Sequence, residues 1–167
     1  MKKLRGYIFA RPFMGERAPQ HVQNIVLRDY CAKRGHELLL AATEYAMPDS
    51  FMILESVLDD LASVDGIVFY SLYQLPTHPD QRRSVYSRAL DAGKSLHFAV
   101  EGMSIFRQED VDSVEQCLLV KATLDHCVAE IESWLDGCAA RIRYASAPCD
   151  EARLSCAYER RQSSLHA

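Results

Sequence analysis

The sequence predicts a single α/β domain in which a four-stranded parallel sheet is flanked by helices. Short apolar runs rich in β-branched and aromatic residues alternate with stretches whose apolar residues recur every three to four positions. Such alternation is typical of a parallel sheet with helices on both faces. A length of 167 residues suits one hydrophobic core, and 49% apolar with 25% charged residues is the composition of a soluble globular protein.

The four strands are predicted at 6–10, 37–42, 67–70 and 96–100. Three helices lie between them: the first ends at Gly35, the second opens at 48–50, and the third spans 81–91. A fourth helix, long and amphipathic, is predicted from 110 to about 143. It can pack on the sheet, or it can pair with its twin in a homodimer.

The domain is therefore predicted to span 1–143. Residues 144–167 contain few aliphatic side chains and many Ser, Arg, Ala and Cys residues, which predicts a weakly ordered tail.

Charge and cysteine content restrict the class of ligand. The net charge of −4 disfavours nucleic acid as the main partner, because phosphate neutralisation normally requires a basic face. Six cysteines without a CxxC pair or zinc-type spacing predict free thiols and no metal site. No apolar run approaches the roughly 18 residues of a membrane span, so we expect a cytoplasmic protein without a membrane partner. No pattern identifies a cofactor.

Several phrases resemble the resolvase/invertase catalytic domain of serine recombinases. They cover about residues 5 to 106 and include YIFAR at 7–11, the helix at 20–34, DGIVFYSL at 65–72, AG at 92–93 and EGMSI at 101–105. The resemblance implies a resolvase- or flavodoxin-like topology, with the helix from 110 as the counterpart of that family's dimerisation helix.

The nucleophile of that family is missing. Phe13 stands where the resemblance places the serine, and Tyr73 and Gln74 replace an expected Asp-Arg pair. A phenyl ring cannot attack a phosphodiester, so we expect no recombinase activity.

Two further resemblances concern sugars. The phrases GYIFARPFMGER at 6–17, PQHVQN at 19–24, ATEYAM at 42–47, YSLYQLP at 70–76 and HFAVEG at 97–102 resemble a family encoded sporadically in bacterial carbohydrate-biosynthesis clusters. This resemblance implies a place in surface or specialised sugar metabolism, but it does not imply any particular reaction. YIFARPF at 7–13 and ALDAGK at 89–94 resemble the deoxyribosyltransferase-like fold, whose enzymes cleave N-glycosidic bonds with a glutamate shortly before the second phrase. The segment 81–86 contains no acid.

In an open parallel sheet, ligands bind beyond the carboxyl ends of the strands. The polar residues that follow the predicted strands are therefore the candidate site. The catalytic candidates are His21, Glu44 and Glu101, and the substrate-binding candidates are Arg11, Arg17, Gln20, Asn24, Tyr45, Tyr70, Ser71 and Gln74.

The charged candidates have two interpretations each. Arg11 suits a phosphate or carboxylate, or else a structural ion pair with Glu16, Glu44 or Glu101. His21 is either an acid or base at the rim or a solvent-facing cap of its helix. Glu44 near Glu101 is suited to general base chemistry, or it pairs with Arg11 to fix the rim.

The uncharged candidates are equally open. Tyr70 would either stack on a sugar or base or lie at the edge of the core. Gln20, Gln23 and Asn24 would either bind sugar hydroxyls or belong to a solvated helix start.

The leading hypothesis is an enzyme of bacterial carbohydrate biosynthesis that acts by acid/base chemistry on a small anionic sugar or sugar nucleotide. His21 and Glu44 would transfer protons, and Arg11 would hold the anion. The alternative is a non-catalytic binding or partner protein with a degenerate recombinase-like fold, and a further alternative is an N-glycosidic-bond enzyme of the deoxyribosyltransferase-like type.

The long helix generates a first prediction, that the chain is a homodimer in which this helix contributes to the interface. Replacing Leu124 with Glu should shift the light-scattering mass at micromolar concentration toward the 18.9 kDa monomer, because the charge falls within the apolar stripe. Circular dichroism of the variant controls for loss of fold. A wild-type chain that scatters as a monomer would contradict the prediction.

Overall fold

A five-stranded mixed sheet is the centre of the protein in the computed structural model, which describes residues 1–15, 17–124 and 127. Met1–Lys121 forms one compact unit. The strands are β1 (Lys3–Phe9), β2 (Glu37–Glu44), β3 (Gly66–Phe69), β4 (Ser95–Phe98) and β5 (Met103–Ile105), arranged in the order β2-β1-β3-β4-β5. The first four are mutually parallel.

Among the described residues, four helices accompany the sheet. They are α1 (Gln20–Lys33), α2 (Met52–Asp59), α3 (Pro79–Asp91) and α4, which begins at 108 and continues through 124. Single 3-10 turns occur at Leu61–Ser63 and Leu72–Gln74. The predicted α/β class, with helices alternating with parallel strands, is confirmed.

The prediction of four strands, all parallel, was wrong. Gly102 adopts φ 67°, a left-handed conformation that glycine adopts without strain, and the chain reverses there. Met103–Ile105 then pairs antiparallel with β4 as a fifth strand. Three residues are too few to show a strand period, so β5 has no recognisable signal in the sequence.

Strand β2 is an edge strand and contains a bulge. Its pairing with β1 changes from Arg5↔Leu39 to Tyr7↔Ala42, so β2 has one extra residue opposite Gly6. A Cβ at position 6 would lie 2.8 Å from the Cβ of Ala41, and this close approach requires glycine. Bulges of this kind distort an exposed edge and discourage pairing with another chain.

The two faces of the sheet have different cores. On one face α2, α3 and α4 bury Leu54, Val57, Leu58, Val85, Tyr86, Ala89, Val111 and Val114 against the strands. On the other face α1 buries Leu27, Tyr30 and Cys31 against Leu4, Ile8 and Val68. The burial of apolar surface on both faces provides most of the favourable free energy of folding.

Helix α4 packs on the domain over its first turns. Val111 and Val114 are buried, and Glu115 accepts hydrogen bonds from Arg82 and from the Tyr86 hydroxyl. Leu124 is 57% exposed. The helix beyond 124 and the tail predicted at 144–167 lie outside the described residues. Within the described part of the chain, none of the helices is sufficiently long and apolar to span a membrane.

His97 is a buried histidine in the middle of β4. Its Nδ1 lies 3.1 Å from the Tyr30 hydroxyl and its Nε2 lies 2.9 Å from Ser95 Oγ. Burial, and then the nearby charges of His36, Lys2 and Arg34, lower the pKa of His97 to about 4. The neutral imidazole is therefore the form that the fold stabilises.

A second prediction concerns pH. The pKa of His97 is lowered from 6.5 in the unfolded chain to about 4 in the fold. The stabilisation that His97 gives to the folded state is therefore fully present above pH 6.5. It is lost as the pH falls from 6.5 to 4, and the loss is on the order of 3 kcal/mol. Urea unfolding of the wild type and of His97→Gln at pH 7.5 and pH 4.5 measures it. The variant should lose less stability than the wild type over this interval, and an identical loss would contradict the assignment.

Candidate functional site

The Glu44 carboxylate lies inside the protein at the carboxyl end of β2. The side chain is 1% exposed, and its two oxygens accept five hydrogen bonds. The donors are the Tyr7 hydroxyl (2.9 Å), the Ile53 and Leu54 amides (3.1 Å each), the Tyr45 amide (3.0 Å) and the Ser50 hydroxyl (3.2 Å). Glu44 thus joins β1 to the amino terminus of α2, where backbone amides favour a negative charge.

This arrangement also affects Tyr7. Burial, followed by the charge of Glu44 and the hydrogen bond to it, raises the pKa of Tyr7 far above its usual range. Tyr7 is therefore a permanent donor to the carboxylate.

The Arg11 guanidinium holds the loop that follows Glu44. Its Nη1 donates to the carbonyl oxygens of Tyr45 (3.4 Å), Met47 (3.0 Å) and Ser50 (2.6 Å). Its planar group also lies over the rings of Phe9 and Phe51, 4.1 and 4.8 Å from their centroids. Arg11 is 8% exposed, so the group predicted to bind an anion is directed instead at backbone carbonyls.

A second buried network consists of two amides between the ends of β1 and β3. Gln23 Nε2 donates to the carbonyls of Phe9 (2.9 Å) and Ala18 (2.8 Å), while its Oε1 accepts from the Phe9 amide (3.1 Å) and from Gln74 Nε2 (2.9 Å). Gln74 Oε1 accepts from the Tyr70 amide (3.0 Å). Both glutamines are fully buried, which leaves no surface of Gln74 for the substrate contact predicted there.

Ser71 and Glu101 form a third contact at this edge. Ser71 Oγ donates to Glu101 Oε1 at 2.6 Å, and the Leu72 amide donates to the other carboxylate oxygen at 3.0 Å. Ser71 Oγ also accepts from the Tyr73 amide at 3.2 Å. The pair resembles a hydroxyl and its base, but Ser71 is 3% exposed, and these bonds join the end of β3 to the turn after β4.

Phe13 occupies the position between the ends of β1 and β3. Its ring makes edge-on contacts with Phe9 (centroids 6.0 Å apart) and with Tyr70 (5.9 Å). The half-buried Tyr70 therefore lies at the edge of the core, one of the two interpretations of that residue.

The remaining candidates lie on or near the first turns of α1. Arg17, Gln20 and His21 are exposed, and Asn24 Nδ2 donates to the Gln20 carbonyl at 3.0 Å. In the described part of the chain no hydrogen bond joins His21 to Glu44. The structure thus groups Arg11, Glu44 and Tyr45 around one loop, and it groups Tyr70, Ser71, Gln74 and Glu101 around another.

Gln23 was expected to bind sugar hydroxyls or to belong to a solvated helix start, and the structure buries it completely instead. It precedes Leu27, Tyr30 and Cys31 at the spacing of one helix face, and all four are buried. A glutamine on an otherwise apolar stripe is a recognisable signal of a buried hydrogen-bonding role.

Two solved structures are similar to this chain. A resolvase family site-specific recombinase from Streptococcus pneumoniae aligns with a TM-score of 0.52 and 14% identity, covering 84% of this chain and 99% of that chain. The N-terminal catalytic domain of TP901-1 integrase aligns with a TM-score of 0.49 and 15% identity, covering 78% and 99%. No protein-family model and no curated protein sequence matches the chain.

The similarity to the Streptococcus pneumoniae recombinase confirms the resolvase-like fold. At these identities the similarity extends to the fold alone. The resemblance to the sporadic carbohydrate-cluster family finds no support in these comparisons.

A third prediction tests the role of Glu44. Glu44→Gln should destabilise the fold by about 2–4 kcal/mol, because the amide has one acceptor oxygen and points an N–H group at donors. Urea unfolding at pH 7 measures the change. Glu37→Gln, the same substitution at the other end of β2, is the matched control and should change stability by less than about 0.5 kcal/mol. Equal effects of the two substitutions would show that the five bonds contribute little.

Proposed function

We propose that this chain is a non-catalytic binding protein on a recombinase-like fold, and that it binds a protein partner through the segment 45–52, which consists of the loop after β2 and the first residue of α2. One observation carries the proposal. Arg11 and Glu44 hold this segment from inside while three of its apolar side chains face solvent. Tyr45, Met47 and Met52 are 51%, 57% and 64% exposed.

Holding the loop in this way is energetically demanding. A buried guanidinium and a buried carboxylate both lose hydration, and the loss is tolerable because each forms several hydrogen bonds. The result is a loop whose backbone is fixed before any partner arrives, which lowers the entropy cost of association.

The exposed residue types favour a protein partner. Tyrosine is enriched at the energetically dominant positions of interfaces, and methionine adapts its shape to different apolar surfaces. Single exposed apolar residues are common, but here three fall within eight positions of a fixed segment. The partner surface expected from this chemistry is apolar.

Catalysis is less well supported than binding. Phe13 stands at the position of the recombinase nucleophile, and its ring packs against Phe9 and Tyr70. Arg11 and Glu44, proposed to hold the anion and to take up a proton, are already bound to the backbone. The hypothesis of an enzyme acting on a small anionic sugar stays a prediction, as does a place in carbohydrate biosynthesis.

A fourth prediction tests the binding surface. The triple variant Tyr45→Ser, Met47→Ser and Met52→Ser should lose a protein that the wild-type chain captures from a lysate of its own organism. Calorimetry with that purified partner should show affinity weakened on the order of a hundredfold, about 3 kcal/mol. Ile25→Ser is the matched control, because Ile25 is 60% exposed on α1 outside the loop.

Undiminished binding by the triple variant would reject the segment 45–52 as the interface. Turnover of a sugar phosphate or sugar nucleotide that Glu44→Gln abolishes, without unfolding the chain, would support the enzyme hypothesis instead.

A further inference from the structure

A second surface of interest lies on the α1 face of the sheet, over β4 and β5. The loop from α1 to β2 contributes Arg34 and His36, the amino terminus contributes Lys2, and the segment after β5 contributes Phe106. We call these four residues the cationic surface. The amino terminus and the loop from α1 to β2 are joined, because the Glu37 amide donates to the Lys2 carbonyl at 2.9 Å.

Two of the four side chains, His36 and Phe106, contact His97 directly. The His36 ring centroid lies 5.6 Å from that of His97, and the Phe106 centroid lies 5.4 Å from it. Lys2 Nζ lies 4.9 Å from the Phe106 centroid. Phe106, which is 50% exposed, thus contacts both Lys2 and His97, and His97 in turn contacts His36.

Arg34 is held in place by neutral groups. Its guanidinium carbon lies 3.9 Å from the Tyr30 ring centroid, and its Nη2 donates to the Gly102 carbonyl at 3.4 Å. A guanidinium has five N–H donors, so most of those on Arg34 stay available at this exposed position. Stacking on Tyr30 fixes the plane in which they point.

Lys2 and Arg34 are the strongly basic groups of this surface, and one carboxylate, that of Asp110, lies beside it, where it accepts the Phe106 amide at 2.9 Å. Lys2 and Arg34 take part in none of the ion pairs within the described residues. The charged groups that shift the pKa of His97 are His36, Lys2 and Arg34, and each of them lowers it. Positive groups that lie close together repel one another, and an anion bound among them relieves the repulsion.

We infer that the cationic surface binds the phosphate group of a small phosphate monoester through Lys2, Arg34 and His36. Arg34 matches the geometry of a phosphate with two parallel N–H groups, and Lys2 supplies a second full charge. The exposed ring of Phe106 offers a flat apolar contact to the remainder of the ligand. The ester is a sugar phosphate or a nucleoside monophosphate, which share this chemistry.

Calorimetry at low salt, with ribose 5-phosphate and with adenosine monophosphate as probes, tests the inference. We expect saturable binding of at least one probe below about 1 mM, and an affinity weaker by on the order of tenfold in Lys2→Gln and again in Arg34→Gln. Tighter binding of the nucleotide, reduced by Phe106→Ala, would identify it as the source of the phosphate. Tighter binding of the sugar phosphate would identify the sugar.

The matched control is Arg28→Gln, which removes the same charge from an exposed position on α1 without touching the cationic surface. Circular dichroism shows that each variant is folded, and Lys2→Gln leaves the Arg34–Tyr30 stack intact. Absence of saturation up to 10 mM of either probe, on the order of the weakest useful affinity, overturns the inference. An equal loss of affinity in Arg28→Gln also overturns it, because the attraction would then come from net charge.

Discussion

The burial of one carboxylate determines the geometry of the carboxyl edge of the sheet. The Glu44 carboxylate is 1% exposed, and a buried carboxylate is tolerable only when its oxygens are hydrogen-bonded. The five donors come from β1, from the loop after β2 and from the first turn of α2. These three segments are thereby fixed relative to one another. Arg11 fixes the same loop through its carbonyl oxygens, whereas Glu44 fixes it through its N–H and O–H donors.

The sequence predicted the architecture where a periodic pattern was present. Parallel strands β1 to β4 and helices α1 to α3 correspond to apolar runs and stripes of sufficient length. Strand β5 depends on a glycine turn and a three-residue pairing, which produce no period. The bulge in β2 arises from a close contact between Gly6 and Ala41, and a contact across two strands cannot be recognised in a single sequence.

The candidate site was predictable in position but not in role. Arg11, Glu44, Ser71, Gln74 and Glu101 do lie at the carboxyl ends of strands, as the topology requires. Their partners are mostly backbone groups: carbonyls for Arg11, and amides for much of Glu44. Every residue type has the same backbone groups, so side-chain identity does not reveal such partners. An ionisable residue after a strand therefore indicates a ligand site only when its side chain is not already hydrogen-bonded to backbone groups.

Unequal coverage of the two sheet faces by helices explains why the cationic surface exists. Five strands span about 19 Å, at roughly 4.8 Å between neighbours, while a helix is about 10 Å wide. Three helices cover one face, and in the described part of the chain α1 alone packs on the other. The uncovered width over β4 and β5 must be filled by side chains. Tyr30, His36 and Phe106 fill it around His97. The cations Lys2 and Arg34 lie over two of these rings, Phe106 and Tyr30. The surface that we propose for phosphate is thus a consequence of how narrow the helical layer is on this face.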